Sequence, residues 1–297
     1  MVIRLRCMTK IRRILVATPL KGDIPSAYFK ASLQLATASL PGIKLDWVFL
    51  EGPAVQMARN ELVSYAREEK FDEMIFWDKD VIADADGENL TSGAVLRLLS
   101  HDKDIVCAPY SARSMSTHWH VQPIPGETPD DKGLQKVARV CIGFSKIKMS
   151  VFDRIEAKIP WRKAVLIDPN HAPKTVTEFF PMGLQGKNTP EYRLKQIESL
   201  LSENFKSTDA LVARLKRELE LQYDEPNLFA GEDYWFCDLA REAGIDIHLD
   251  TMLIMSHMSR VSLPISTPGL FRALQEPWRQ DEIRQIKAKL AEKQAQA

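Results

Sequence analysis

The run Met74-Ile75-Phe76-Trp77-Asp78-Lys79-Asp80-Val81 decides the fold. Four apolar residues in succession suit a strand covered on both faces, and two carboxylates one residue apart close it. In an α/β sheet, ligands bind outside the carboxyl ends of the strands. Asp78 and Asp80 therefore stand where a divalent cation, Mn²⁺ or Mg²⁺, and the phosphate it carries would be held. Two other Asp-x-Asp triplets are present. Asp84-Ala85-Asp86 lies farther out in the loop, and Asp102-Lys103-Asp104 precedes a strand, at the wrong edge of a sheet for a ligand.

Outward from that strand, short apolar runs alternate with helical periods. Ile14 to Ala17, closed by Thr18-Pro19, reads as a first strand, and Leu45 to Leu50, ending at Glu51-Gly52-Pro53, as a second. Ala27 to Ala38, Val55 to Glu69 and Leu90 to Leu99 carry apolar residues at helical spacing, and Asp104 to Tyr110 reads as another buried strand. This alternation predicts an α/β fold with a mostly parallel sheet flanked by helices. Val137 to Phe144 reads as a strand interrupted by Gly143, and Val151 to Ile155 as the start of a helix.

Between Pro160 and Leu228 the pattern changes. Thr189 can cap a helix with Pro190 at its first position, Leu194, Ile197, Leu201 and Phe205 keep helical spacing, and Leu211, Leu215 and Leu219 follow. The expectation is one domain over 1–297, with 160–228 as an insertion containing a helical pair and 275–297 as a C-terminal helical tail. The loop from Ser111 to Asp131 brings His118, Trp119 and His120, of which Trp119 is expected to pack on the domain.

Composition narrows the function. The chain has 297 residues, 45% hydrophobic and 27% charged, with 40 basic and 40 acidic side chains that cancel. Bulk nucleic-acid binding, which needs a basic excess, is not expected. Cys7, Cys107, Cys141 and Cys237 form no Cys-x-x-Cys pair, so reduced thiols are expected, the last three in the core. The basic start is followed by too short an apolar run for a signal peptide, and no stretch is long enough to span a bilayer. A cytoplasmic protein is expected, with termini that allow loose membrane contact.

A second acidic feature is Gly231-Glu232-Asp233, ahead of the helical stretch from Tyr234 to Ala243. Carboxylates there complement the helix dipole, and beside Tyr234-Trp235-Phe236 burial can tune one toward general-base work. His257 closes the apolar run from Leu253 and is a candidate third metal ligand.

Taken in order, Ala58-Arg59-Asn60, Phe76-Trp77-Asp78-Lys79-Asp80, Asp104-Ile105-Val106 leading to Tyr110, Gly143-Phe144, Gly231-Glu232-Asp233 with Phe236-Cys237, and Ile254 to His257 resemble the inverting, family 2-like nucleotide-sugar glycosyltransferases of the GT-A fold. The resemblance covers about residues 12 to 260 apart from 160–228. It implies a Rossmann-like GT-A sheet and a metal-dependent enzyme that moves a sugar from a nucleoside-diphosphate sugar, UDP-linked, to the hydroxyl of a carbohydrate or other acceptor. It further implies that Asp78 lies near the donor ribose and the metal, that Asp80 and His257 ligate the metal, and that Thr18, Pro19, Glu51, Arg59 and Asn60 border the nucleotide. Asp233 is then the general base, with Glu232 beside it to hold an acceptor hydroxyl; which of the two faces the acceptor is open in the sequence.

Two departures stand out. Lys79, between the aspartates where the family commonly has a small residue, is expected to turn to solvent, and Cys141-Ile142-Gly143-Phe144 replaces a glycine-richer strand. Two alternatives accompany this expectation. One is a nucleotidyltransferase, for which Lys21-Gly22-Asp23 is a poor phosphate loop; the other is a non-catalytic nucleotide-sugar-binding protein of the same fold.

Overall fold

The structure is a computed structural model describing residues 11–52, 54–83, 90–110, 120–166, 173–185, 189–202, 207–220, 228–253 and 255–257. In chain order the elements are β1 (Arg12–Leu20), α1 (Ser26–Thr37), β2 (Ile43–Glu51), α2 (Val55–Glu68), β3 (Glu73–Trp77), β4 (Val81–Ala83), α3 (Leu90–Ser100), β5 (Ile105–Cys107), β6 (Val121–Pro123), β7 (Leu134–Val140), β8 (Phe144–Lys148) and α4 (Met149–Glu156). They continue with β9 (Lys163–Leu166), β10 (Lys174–Thr177), β11 (Gly183–Gln185), α5 (Pro190–Leu201), α6 (Thr208–Glu220), β12 (Leu228–Ala230), α7 (Glu232–Glu242), β13 (Ile247–Asp250) and β14 (Met255–His257).

Eight strands form one sheet in the order β2-β1-β3-β8-β5-β13-β7-β6. β1 pairs in parallel with both β2 and β3, as β5 does with β13. β8 runs against β3 and β5, and β7 runs against β13 and β6. The fold is therefore α/β with a mixed sheet in which most strands point one way. The antiparallel members come from the stretch expected to be one interrupted strand. It is two, β7 and β8, because the chain changes course through Cys141-Ile142-Gly143, where Gly143 has no room for a Cβ against Tyr110 and Asp78.

Every residue of β3 is buried, which explains its unbroken apolar run. On α2 the buried positions Ala58, Leu62, Val63 and Ala66 recur at helical spacing and face the sheet. An aromatic layer fills the space between β3, α4 and α7: the Phe76 and Phe180 rings meet edge to face at 5.5 Å, Phe180 stacks on Phe236 at 4.7 Å, and Phe152 meets Phe179 at 5.1 Å.

Two of those rings belong to 160–228, so the segment set apart in the sequence is partly core. Asn60 explains how: its Oδ1 accepts the backbone N–H groups of Phe179 at 2.8 Å and Phe180 at 3.0 Å and so fixes both residues to α2. The same segment holds the antiparallel pair β9 and β10, and β11, which pairs with β12. The helical pair is present as α5 and α6, and Thr189 caps α5 with Pro190 at its start, its hydroxyl accepting from the Tyr192 N–H. Among the described residues no helix is long and apolar enough to cross a membrane. The expected tail over 275–297, His118 and Trp119 lie outside the described residues.

Asn60 is 3% exposed. Replacing it with Ala leaves two buried N–H donors without an acceptor, so Asn60→Ala is expected to lose about 2–4 kcal/mol of stability. Urea unfolding should show a lower midpoint at an unchanged slope.

Candidate functional site

The turn after β3 is built by three hydrogen bonds. Asp78 N–H donates to the Gly143 carbonyl at 2.7 Å, Val81 N–H closes the turn onto the Asp78 carbonyl at 3.0 Å, and the buried Trp77 Nε1 donates to the Val81 carbonyl at 2.6 Å. Asp78, Lys79 and Asp80 are thus held at the carboxyl end of a rigid strand, where the sequence placed them.

Arg59 meets this turn from α2. Its side chain is 1% exposed, and its Nη2 donates to both oxygens of Asp78, at 3.1 and 2.8 Å. Its Nη1 donates to Glu232 Oε1 at 3.2 Å and to Asp233 Oδ1. The guanidinium also lies over the Phe76 ring, 5.6 Å from its centroid. The structure therefore brings Arg59, Asp78, Glu232 and Asp233 into one cluster. The two α7 carboxylates reach it because Gly231 opens that helix in extended backbone, leaving both acids in the first turn.

The cluster joins one cation to three carboxylates, which sets its protonation. Burial pushes Asp233 up to about 6; Arg59 pulls it down, while Glu232 and Asp78 push it further up. Burial also works against the charge on Arg59, but the carboxylates of Asp233, Asp78 and Glu232 outweigh it and hold the guanidinium well above its ordinary value. Asp233 is the member poised to exchange a proton near neutral pH.

Three residues missed as site members line the other side. Gly143 N–H donates to Tyr110 Oη at 3.0 Å, and the Cys141 thiol pulls the pKa of Asp233 down. A Cβ on Gly143 would overlap both Tyr110 Oη and Asp78 Oδ2. The glycine interrupting an apolar strand was the available signal, since such a glycine marks close backbone approach. Nothing local marks Cys141 or Tyr110 in the same way.

The other expected residues lie apart from the cluster. Asn60 holds the Phe179 and Phe180 backbone. Thr18 and Pro19 are buried, with Thr18 Oγ1 2.6 Å from Tyr28 Oη, and Glu51 is exposed at the end of β2. Lys79 does not turn to solvent: its Nζ donates to the carbonyls of Lys21 and, at 2.7 Å, Asp23, so it latches the loop after β1 onto the Asp78 turn. Antiparallel pairing of β14 with β4 places the His257 backbone opposite Val81, the residue after Asp80. Asp102 and Asp104 pair with Lys148 and Arg154, away from the site.

The fit to a divalent cation follows from this donor set. Among the described residues no group of three or more His, Cys, Asp and Glu side chains stands ready to hold a metal, and Asp78 has both oxygens on Arg59. A hard cation at this place would need most of its ligands from a bound substrate, since Mg²⁺ typically takes one or two carboxylates plus substrate phosphates.

No family model and no curated protein matches the sequence. Among solved structures the chain is similar to the crystal structure of A197 from STIV, at 13% identity and a TM-score of 0.45, over 86% of this chain and 91% of that one. A likeness that distant assigns nothing to the site.

Arg59→Leu tests the electrostatic account. Removing the cation leaves three carboxylates facing one another, so the variant is expected to lose about 3–5 kcal/mol at pH 8. Their folded-state pKa values then rise above the unfolded ones, so stability is retained at low pH and lost as pH increases. The deficit relative to the parent chain should shrink between pH 8 and pH 5 in urea titrations.

Proposed function

We propose that this chain is a metal-dependent, inverting glycosyltransferase of GT-A type that moves a sugar from a nucleoside-diphosphate sugar, UDP-linked, to an acceptor hydroxyl. The observation that carries the proposal is the shared guanidinium. Arg59 ties the strand-end carboxylate Asp78 to Asp233, a buried carboxylate whose pKa lies at about 6. A donor site at a strand's carboxyl end and a base beside it are what the transfer requires.

In this mechanism Asp78 remains fixed on Arg59 and uses its free lone pairs to accept from a ribose hydroxyl, since a carboxylate has about four acceptor sites. Asp80 would hold Mn²⁺ or Mg²⁺ with the donor phosphates, His257 is the candidate for a further ligand, and the bound cation supplies Lewis-acid stabilisation of the leaving diphosphate. Asp233 takes the proton of the acceptor hydroxyl as its oxygen bonds to the anomeric carbon. The bond from that carbon to the diphosphate oxygen breaks on the opposite face, so the centre inverts. Glu232, 16% exposed beside Asp233, accepts from a second acceptor hydroxyl and orients the nucleophile. Arg59 holds both acids in place and limits their repulsion. Thr18, Pro19 and Glu51, at the ends of β1 and β2, border the nucleotide.

Asp80→Ala is expected to abolish the Mn²⁺-dependent part of UDP binding in calorimetry. Unchanged binding would remove Asp80 from the metal site. For transfer, kcat/KM should fall as pH drops through about 6, because Asp233 is then protonated. Asp233→Asn should lower kcat by about 10²–10⁴-fold while leaving donor affinity intact; undiminished transfer would show that another group is the base.

A further inference from the structure

We propose that Lys79 is a binding residue for a diphosphate, its ammonium held ready just beyond the carboxyl end of β3 by the backbone carbonyls of Lys21 and Asp23. The inference deepens the glycosyl-transfer proposal, on which it rests for the identity of the ligand, and it gives a ligand contact to the residue between the two aspartates.

An ammonium has three N–H donors and no acceptor. On Lys79 two of them go to neutral carbonyls, that of Lys21 and, at 2.7 Å, that of Asp23. Carbonyl dipoles orient the ammonium without cancelling its charge, as a carboxylate partner would. The neighbouring acids do not take that role. Both oxygens of Asp78 are on Arg59, and Lys79 forms no ion pair with an acid among the described residues. One donor of a fixed, uncancelled cation is left over at an exposed place.

Gly22 shapes the cradle. It stands between the two accepting residues at a φ of 70°, in the left-handed region that other residues rarely adopt, and the carbonyls on either side of it reach one ammonium. Lys21-Gly22-Asp23, a poor phosphate loop by its sequence, thus acts through its carbonyls on the lysine and not through its N–H groups on a phosphate. Both partners lie where α/β sheets bind ligands. Lys21 follows the end of β1, Lys79 comes two residues after the end of β3, and the two strands pair in parallel. A diphosphate at this edge also meets the Asp80 carboxylate, and Lys79 offsets that charge from the adjacent position. Because the ammonium is already held, binding orders less side chain than it would with a free lysine.

The test is calorimetry with pyrophosphate, UDP and uridine on the full chain, in EDTA so that the Mn²⁺-dependent part ascribed to Asp80 does not enter. Lys79→Met is expected to weaken pyrophosphate and UDP by about 10-fold or more, the scale of a hydrogen bond to a charged group, and to leave uridine unchanged. Lys79→Arg keeps the charge and should retain most of the affinity. Gly22→Ala keeps the lysine but strains its cradle, and should weaken both phosphate ligands by a smaller factor. If Lys79→Met does not fold, Gly22→Ala carries the same comparison. Pyrophosphate bound equally by the parent chain and the folded variants overturns the assignment. Equal losses for UDP and uridine overturn it too, since the lysine would then act only through the loop it holds. Turnover of UDP-sugars, by transfer or hydrolysis, is measured separately on the parent chain. Phosphate affinity lost in Lys79→Met with no such turnover would keep Lys79 as a phosphate residue and overturn the glycosyl-transfer proposal. Unchanged phosphate affinity with turnover would do the reverse.

Discussion

The buried guanidinium of Arg59 is the constraint on which the site depends. Three carboxylates from two distant stretches of chain, Asp78 on one side and Glu232 with Asp233 on the other, converge on a side chain that is 1% exposed. A pair of opposite unit charges about 4 Å apart is worth roughly 4 kcal/mol at an effective dielectric of 20, and each carboxylate–carboxylate contact opposes that gain on the same scale. One cation cannot neutralise three anions, so the member with the greatest desolvation takes up a proton most readily. That member is Asp233, whose carboxyl is the least exposed of the three. An apolar cluster of equal volume would be as stable or more so. The arrangement is therefore better explained by what ionisable groups do at this place than by what they add to folding.

Neighbouring residues of α2 divide the work of placing that guanidinium. Arg59 reaches the carboxylates, while Asn60 fixes the Phe179-Phe180 backbone and with it the rings that pack against Phe76 and Phe236. Phe76 in turn underlies the Arg59 plane. The aromatic core and the charged cluster thus share one helix and one strand, so a displacement of either is felt by the other. Lys79 extends the same logic outward by tying the loop after β1 to the Asp78 turn. The ends of β1 and β3 are locked together at the edge where the proposed donor would lie.

What was legible in the sequence was local. An unbroken apolar run gave β3, helical spacing gave α1, α2 and α3, and Thr189-Pro190 marked the start of α5, because each depends on residues a turn or a strand apart. Strand direction is not local. β7 and β8 both run against their neighbours in the sheet, and the run from Val137 to Phe144 carries no sign of that. Phe179 and Phe180 were hidden by the Pro, Asn and Lys residues around them, and their anchor Asn60 is about 120 positions earlier. In the site, Asp78, Glu232, Asp233 and Arg59 were recognisable as charges in suggestive places. Cys141 and Tyr110 were not, since a thiol and a phenol among apolar neighbours look like core until their partners are known.

The same geometry bears on how a cation would enter the proposed reaction. Asp78 is held through both oxygens by Arg59, so in the proposed reaction the cation would meet Asp80 at the turn and not a cage of carboxylates. Mg²⁺ and Mn²⁺ give up water reluctantly and prefer several anionic oxygens. A diphosphate supplies those oxygens at the place where they are needed. Keeping Asp78 on Arg59 also offsets the charge of that carboxylate at the turn before a substrate arrives. Under the proposed reaction, the pairing that weakens the Asp-x-Asp motif as a free-standing metal site would suit it to a cation carried in by the donor.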